Sequence, residues 1–227
     1  MAELGPLEIR RLQLATLHGG DWPDRFPVHG FVIMHPKAGP ILVDTGVGGP
    51  ERSLVYWRCV NRSIADALAD HDLSPADVKI VVNTHLHFDH CGQNPVFKHA
   101  PFYVQRSELE RARRDSSWLT DWFDFAGARF ELLDGDGEIA EGVRAVATPG
   151  HTVGHQSILV RGAGGEEVLI GDAAYTGEFY RDPTPERAAT RTGQAVDPEA
   201  WSRSLHRLHD LHPAAVHFCH DLAVIHG

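Results

Sequence analysis

Residues 78–84, Val-Lys-Ile-Val-Val-Asn-Thr, are dominated by β-branched side chains, and at residue 85 the chain turns abruptly to His-Leu-His-Phe-Asp-His. A short apolar run of this kind reads as a strand covered on both faces, and the change in character marks where the backbone leaves the core. The reactive groups therefore sit at a strand's carboxyl end. Strands alternate faces and helices rotate by about 100° per residue, so the imidazoles and carboxylate of this stretch cannot all face one ligand from a regular element. His85, His87, Asp89 and His90 are expected on a turn that divides them between two directions. Two adjacent metal ions need such a division, because borderline cations such as zinc take imidazole and carboxylate donors. A single histidine is usually a surface or core residue; it is their density here that points to a metal site.

Elsewhere the pattern predicts a mixed chain. Residues 7–14 alternate imperfectly and suit a half-exposed first strand. The stretch 17–27, which includes Trp22 and Phe26, reads as a loop whose aromatics either anchor it or wall a pocket. Apolar runs at 28–34 and 40–43 predict a hairpin across Pro36-Lys37-Ala38-Gly39. The second run ends in Asp44-Thr45-Gly46, where the carboxylate is read as a hydrogen-bonding support for a metal ligand. Ile64, Ala67 and Leu68 give helical spacing within 61–70, and Ser74-Pro75 with Asp77 starts a short turn before the buried strand. Residues 102–105 predict a strand and 106–114 a charged helix with a solvated face. Trp118, Leu119, Trp122, Phe123 and Phe125 follow at helix-like spacing, a stripe that serves as core, as interface or as the wall of an acyl-chain pocket. Strands are expected at 130–133, 143–147, 156–160 and 168–170. Residues 177–196 are polar and read as a lid or as a surface loop with a short helix. Asp197-Pro198 then starts a helix with Trp201, Leu205, Leu208 and Leu211 on one face, and 214–218 is a last strand ending at Cys219-His220-Asp221.

Composition narrows the classes. The 227 residues are 42% hydrophobic and 23% charged, ordinary for a globular protein with a sizeable core, and suit one domain over 1–227. A formal net charge of −10 gives no electrostatic footprint for nucleic acid or an anionic membrane, so neither is expected as a partner. Cys59, Cys91 and Cys219 are odd in number and scattered, which argues against a disulfide framework. The amino terminus lacks a basic region followed by an apolar one, and no apolar run approaches a membrane span, so a cytoplasmic protein is expected.

Four segments share one design, an apolar strand that ends in candidate ligands: 84–90, Thr148-Pro149-Gly150-His151, Gly171-Asp172 and Phe218-Cys219-His220. Strands that deliver polar groups to one sheet edge can converge on one site. At these residues the chain resembles the metallo-β-lactamase superfamily, whose pattern is His-x-His-x-Asp-His, a later His, a bridging Asp and a final His. Within it, the chain is most similar to N-acyl-homoserine lactonases. That similarity is carried by 84–90, by Thr-Pro-Gly-His-Thr-Val-Gly-His-Gln-Ser at 148–157, and by Asp172 followed by Tyr175 and Thr176.

The resemblance implies an α/β (α+β) metallo-β-lactamase fold, an αβ/βα four-layer sandwich of two mixed β-sheets flanked by helices. It implies two divalent metal ions, zinc being the expected one. His85, His87 and His151 would hold the first, Asp89, His90 and His220 the second, and Asp172 would bridge them. A hydroxide shared by the two ions would open the lactone ring of an N-acyl-homoserine lactone. Tyr175 would donate to the oxygen that gains charge, and Asp89 would carry the proton to the leaving alkoxide. The implied partner is a small-molecule substrate with an acyl chain, and a homodimer is left open. Cys219 stands where the family usually has Gly, and the chain ends seven residues after His220, shorter than expected of the family. His217 is the alternative to His220. Cys91 is read as an interior thiol with soft-ligand character as the alternative, and His155 as a supporting or packing group.

Competing activities remain on the same scaffold. Zinc-dependent β-lactamases lack a bridging Asp, glyoxalase-II-like thioesterases carry a helical extension after the last ligand, and nucleases of the superfamily act on polyanions that a charge of −10 disfavours. From a different class come a non-catalytic metal-dependent binder and a redox di-iron protein, since the same donors suit iron.

Overall fold

The β-branched and alternating runs become two mixed sheets in a computed structural model that describes residues 4–18, 25–48, 52–115 and 120–227. Among the described residues, the first sheet holds β1 (Glu8–Leu17), β2 (Phe26–His35), β3 (Gly39–Val43), β4 (Val60–Asn61), β5 (Ile80–Val82), β6 (Phe102–Gln105) and β7 (Phe130–Leu133), in the order β4-β1-β2-β3-β5-β6-β7. The second holds β8 (Gly137–Ala140), β9 (Val143–Ala147), β10 (Gln156–Arg161), β11 (Glu166–Leu169), β12 (Ala215–His217) and β13 (Val224–His226), in the order β13-β12-β11-β10-β9-β8. The helices are α1 (Arg52–Tyr56), α2 (Ile64–Ala69), α3 (Phe88–Cys91), α4 (Arg106–Arg114), α5 (Gly177–Arg181), α6 (Pro185–Ala189) and α7 (Pro198–Asp210). The chain groups into two compact units. The amino-terminal unit is Ile9–Tyr103 with Ala112–Glu131; the carboxyl-terminal unit is Met1–Glu8 with Val104–Arg111 and Leu132–Gly227.

Strand direction decides where the polar segments emerge. In the amino-terminal unit, β2 and β3 form the expected hairpin with Ile33 opposite Ile41, and β3 pairs in parallel with β5, Val43 opposite Val82. Parallel neighbours end on the same edge, so Asp44 and Thr84 leave side by side. In the carboxyl-terminal unit, β9 is antiparallel to β10, β10 antiparallel to β11, and β11 parallel to β12. Two reversals restore direction. The segments after β9, β11 and β12 therefore leave from one edge, and these are the segments that carry His151, Asp172 and His220.

Local chemistry sets the helix ends. Ser63 accepts from the amides of Ala65 and Asp66 to cap α2, and Asp197 accepts from the Ala200 amide to cap α7, with Pro198 in its first turn. Trp201, Leu205 and Leu208 form the fully buried face of α7, while Leu211 lies at its end and is half-buried. Ser74 and Asp77 form a reciprocal cap around the turn at Pro75–Asp77.

Several expectations need correction. The buried strand is only Ile80–Val82, because Thr84 turns its amide away from the ladder to Asp44 Oδ1 at 2.8 Å. The turn expected for the histidine cluster holds for 85–87, but Asp89 and His90 lie on the short helix α3. The segment 177–196 contains two helices, α5 and α6, rather than one. Of the aromatic stripe, Trp118 and Leu119 lie outside the described residues, as does Trp22. The remainder makes a single turn at Thr120–Trp122, with Phe123 in the core and Phe125 edge-on to Phe102 at 5.8 Å. α1, β4, β8 and β13 are short elements that periodicity did not predict. No helix among the described residues is long and apolar enough to cross a membrane.

The loop before His151 is held by close backbone approach. Gly150 has φ +138°, and a Cβ there would lie 2.3 Å from the backbone N and Cα of Trp201. Ser204 Oγ donates to the Pro149 carbonyl at 2.7 Å, and the Val196 and Asp197 amides donate to the Gly150 carbonyl at 2.8 and 3.0 Å. Gly150→Ala should therefore lower the unfolding free energy by at least about 2 kcal/mol, from left-handed strain and the clash with α7 together. A urea midpoint equal to that of the unaltered protein would contradict this packing.

Candidate metal centre

The expected ligands fall in two sets, one in each unit. In the amino-terminal unit Asp44 ends β3 with φ +60°, a conformation in which Asp is one of the few tolerated side chains. Its buried carboxylate accepts from the Thr84 amide at 2.8 Å, the Thr84 hydroxyl at 2.7 Å and His90 Nδ1 at 2.8 Å. The Thr84 proton is thereby committed to Asp44, so the hydroxyl can only accept from His85 Nδ1, 3.2 Å away. Both imidazoles therefore carry a proton on Nδ1. The ring centroids of His85 and His90 are 4.1 Å apart and those of His85 and His87 4.5 Å, and Asp89 Oδ2 is 3.9 Å from His90 Nε2. This set is gathered, with Asp44 in the supporting position expected of it.

α3 is fixed from beneath. The Gly92 amide donates to the Gly46 carbonyl at 2.8 Å, and a Cβ on Gly92 would come within 2.0 Å of the Gly48 nitrogen. The Thr45 amide donates to the His90 carbonyl at 2.7 Å, while Thr45 Oγ1, Asn83 and Asn94 form a buried hydrogen-bonded group against the same carbonyl. Cys91 is buried, with Sγ on the His87 carbonyl, the interior role expected for it. The half-buried Cys59 thiol is pushed up to about 11, by burial and then by the Asp89 charge, so it is not a thiolate at neutral pH.

In the carboxyl-terminal unit Asp172 lies on the turn Gly171–Ala173 that follows β11. One carboxylate oxygen is 3.3 Å from His151 Nε2 and the other 3.1 Å from His220 Nε2. The Tyr175 ring is edge-on to both imidazoles, with centroids 5.5 Å from His151 and 5.4 Å from His220, and its hydroxyl donates to the Gly193 carbonyl at 2.7 Å. Ser157 Oγ donates to the Ile170 carbonyl, Thr148 Oγ1 to Ser157, and His155 Nδ1 to Thr148, so His155 Nε2 is the acceptor for the Asp172 amide at 2.9 Å. Thr148 thus fixes Nδ1 of His155 and Nε2 holds the backbone of Asp172, the supporting role expected. His217 Nε2 meets Glu167 Oε2 at 2.8 Å, whereas His220 Nε2 meets Asp172 Oδ1 at 3.1 Å.

Sequence pattern did not find Gln194. It is fully buried, its carbonyl accepts from His151 Nδ1 at 3.1 Å, and its side chain holds both Asp172 and Tyr175. A glutamine in a polar stretch, Arg-Thr-Gly-Gln, gives no periodic signal; only the return of the segment onto the site reveals it.

The donor chemistry fits metal ions. His151 donates Nδ1–H to a carbonyl, and this turns Nε2 towards a carboxylate oxygen of Asp172, 3.3 Å away. A cation placed there would bond to both, and imidazole Nε2 with carboxylate is a donor pair that zinc takes.

The metallo-beta-lactamase superfamily model matches residues 23–220. The chain belongs to the metallo-beta-lactamase superfamily. Among its superfamily relatives are an N-acyl homoserine lactonase of Bacillus thuringiensis, 30% identical over 84% of this chain and 80% of the relative, and N-acyl homoserine lactonase AttM of Agrobacterium fabrum, 30% identical over 97% and 92%. A solved structure of a B. thuringiensis AiiA variant with N-decanoyl-L-homoserine at its active site superposes with TM-score 0.78 at 26% identity, over 97% of this chain and 95% of the other. An N-acyl homoserine lactone hydrolase with the product N-hexanoyl-L-homoserine bound at its catalytic metal center gives the same TM-score, identity and coverage. The two mixed sheets with flanking helices are the fold of this superfamily, and the chain is a metal-dependent hydrolase of its lactonase family.

Asp44→Asn keeps the shape and the left-handed backbone but removes the charge that orients His90. Zinc affinity, measured by chelator competition, should fall about 10- to 100-fold. An unchanged affinity would mean that Asp44 does not act through His90.

Proposed function

We propose that this hydrolase opens the lactone ring of N-acyl-homoserine lactones, a quorum-quenching activity. The two donor sets would together hold two divalent cations, zinc by preference. His85, His87 and His151 would hold one, Asp89, His90 and His220 the other, and Asp172 would serve both. The observation that carries the reading is the carboxyl-terminal set, where each oxygen of Asp172 faces a different imidazole and Tyr175 lies against both rings. The curated relatives that match most of the chain are named for this substrate.

When bound, the pair of cations supplies Lewis acidity and a water that ionises near neutral pH. The chain's own groups do the rest. Tyr175 exchanges its bond to the Gly193 carbonyl for one to the lactone oxygen that gains charge, which stabilises that charge where it develops. Asp89, nearly buried beside His90, takes up the proton of the attacking water and returns it to the alkoxide released when the ring C–O bond breaks. The product is the N-acyl-homoserine, one water heavier. The acyl chain makes the substrate small and apolar at one end, in keeping with a protein of net charge −10 that has no use for a polyanion. We place the reaction in the cytoplasm, where the three cysteines, none of them in a disulfide, stay reduced.

Mass analysis of products from a panel of short and long acyl-homoserine lactones, other lactones, a thioester and a penicillin tests the substrate class. Acyl-homoserine lactones should gain one water, chelation should abolish the reaction, and added zinc should restore it. Turnover of only the thioester or the penicillin would replace this reading with another hydrolysis. Tyr175→Phe should retain its zinc and lose about 10²- to 10³-fold in kcat; kinetics equal to the unaltered enzyme would remove Tyr175 from the mechanism.

A further inference from the structure

The segment that sequence pattern reads as a lid or surface loop returns, at residues 193–194, to the backbone of the carboxyl-terminal donor set. Gln194 is fully buried. Its Nε2 donates to the Asp172 carbonyl at 3.0 Å and its Oε1 accepts from the Tyr175 amide at 3.2 Å, so one side-chain amide closes the turn that carries both residues. The Gln194 carbonyl accepts from His151 Nδ1 at 3.1 Å, and the neighbouring Gly193 carbonyl from the Tyr175 hydroxyl at 2.7 Å. Two consecutive residues thus touch His151, Asp172 and Tyr175. Gly193 has φ +85°, and a Cβ there would lie 3.3 Å from the Tyr175 oxygen, so the close approach is made easy by glycine. The far side is tied down as well, because the Gln194 amide donates to the Arg191 carbonyl and the Val196 and Asp197 amides donate to Gly150, one residue before His151.

We propose that Gln194 is a positioning residue, which sets Asp172, Tyr175 and His151 relative to one another and through them governs metal retention and turnover. Glutamine has the chemistry for it. Glu has the reach but lacks the donor for Asp172, Asn has the amide but is one methylene too short to span a carbonyl and an amide three residues apart, and Met fills the volume with neither group. A buried amide with donor and acceptor both engaged is rigid, and removal of either bond leaves a main-chain group of the site to find another partner. The Gln194 carbonyl holds His151 by main chain alone, so a side-chain substitution acts first on Asp172 and Tyr175.

The test compares Gln194→Met with the unaltered protein. Zinc affinity by chelator competition should fall about 10- to 100-fold, as expected when a group that orients a ligand is lost. For the lactone, kcat should fall about 10-fold or more with KM nearly constant, and Tyr175→Phe should cost only a few-fold in the Gln194→Met background, against the much larger loss expected alone. A residue that merely fills space would leave the Tyr175→Phe cost equal in both backgrounds. Circular dichroism and a urea midpoint of the metal-free protein check folding; should Gln194→Met fail to fold, Gln194→Asn is expected to show the same losses. Affinity within about twofold and additive kinetics would overturn the assignment. The kinetic comparison rests on the lactonase reading, whereas the affinity comparison does not. Unaltered protein that binds zinc yet opens no lactone would sink that reading and leave the role of Gln194 to be decided by the affinity arm.

Discussion

A neutral imidazole has one donor and one acceptor, and the organisation around this chain's histidines turns on where the donor is sent. His90 gives its Nδ1 proton to Asp44, His85 gives its own to Thr84, and His151 gives its own to the Gln194 carbonyl. His155 is anchored in the same way through Thr148, but its Nε2 accepts from the Asp172 amide and is thereby used within the protein. What each Nε2 meets depends on hydrogen-bond partners far away in sequence, and that sets which rings suit a cation and which a supporting bond.

Strand direction makes those meetings possible. Parallel pairing of β3 with β5 sets Asp44 beside Thr84, and the two reversals between β9 and β11 bring their carboxyl ends to the edge that β12 shares. The short loops that follow are then fixed by features too close for ordinary side chains. Gly92 against Gly48 and Gly150 against Trp201 are both backbone contacts that a Cβ would forbid. A metal site with few degrees of freedom left in its loops costs little ordering entropy when an ion enters.

Much of this was legible in the sequence because ligand patterns are local. The apolar run before His85, the Thr-Pro-Gly-His at 148–151 and the Asp172–Tyr175 interval announce themselves within a few residues, and the strands that deliver them lie where the β-branched runs predict. The capped starts at Ser74 and Asp197 were equally local. What escaped is what tertiary structure decides. Thr84 continues the apolar run in sequence but leaves the ladder for Asp44, and Asp89 and His90 join a four-residue helix too short to have a period. Gln194 sits in a stretch whose polarity suggests solvent, and its burial follows only from the return of that stretch to His151. Phe123 and Phe125 carry no sign of whether they pack inward or wall a pocket; the burial of Phe123 and the contact of the half-buried Phe125 with Phe102 are facts of packing.

The buried aspartates show how the same residue type is given different work. Asp44 is nearly inaccessible and its carboxylate receives three donors from Thr84 and His90, so its charge is compensated by the protein itself. Asp172 is buried to a similar degree, but its two oxygens face the Nε2 atoms of His151 and His220. A buried carboxylate needs positive charge close to it. A divalent cation supplies that charge and bonds to imidazole nitrogens at the same time. Asp44 is thus suited to orient a ligand and Asp172 to be one. The difference lies in the amide, hydroxyl and ring donors that Thr84 and His90 bring to the first and the two imidazole nitrogens that the segments after β9 and β12 bring to the second.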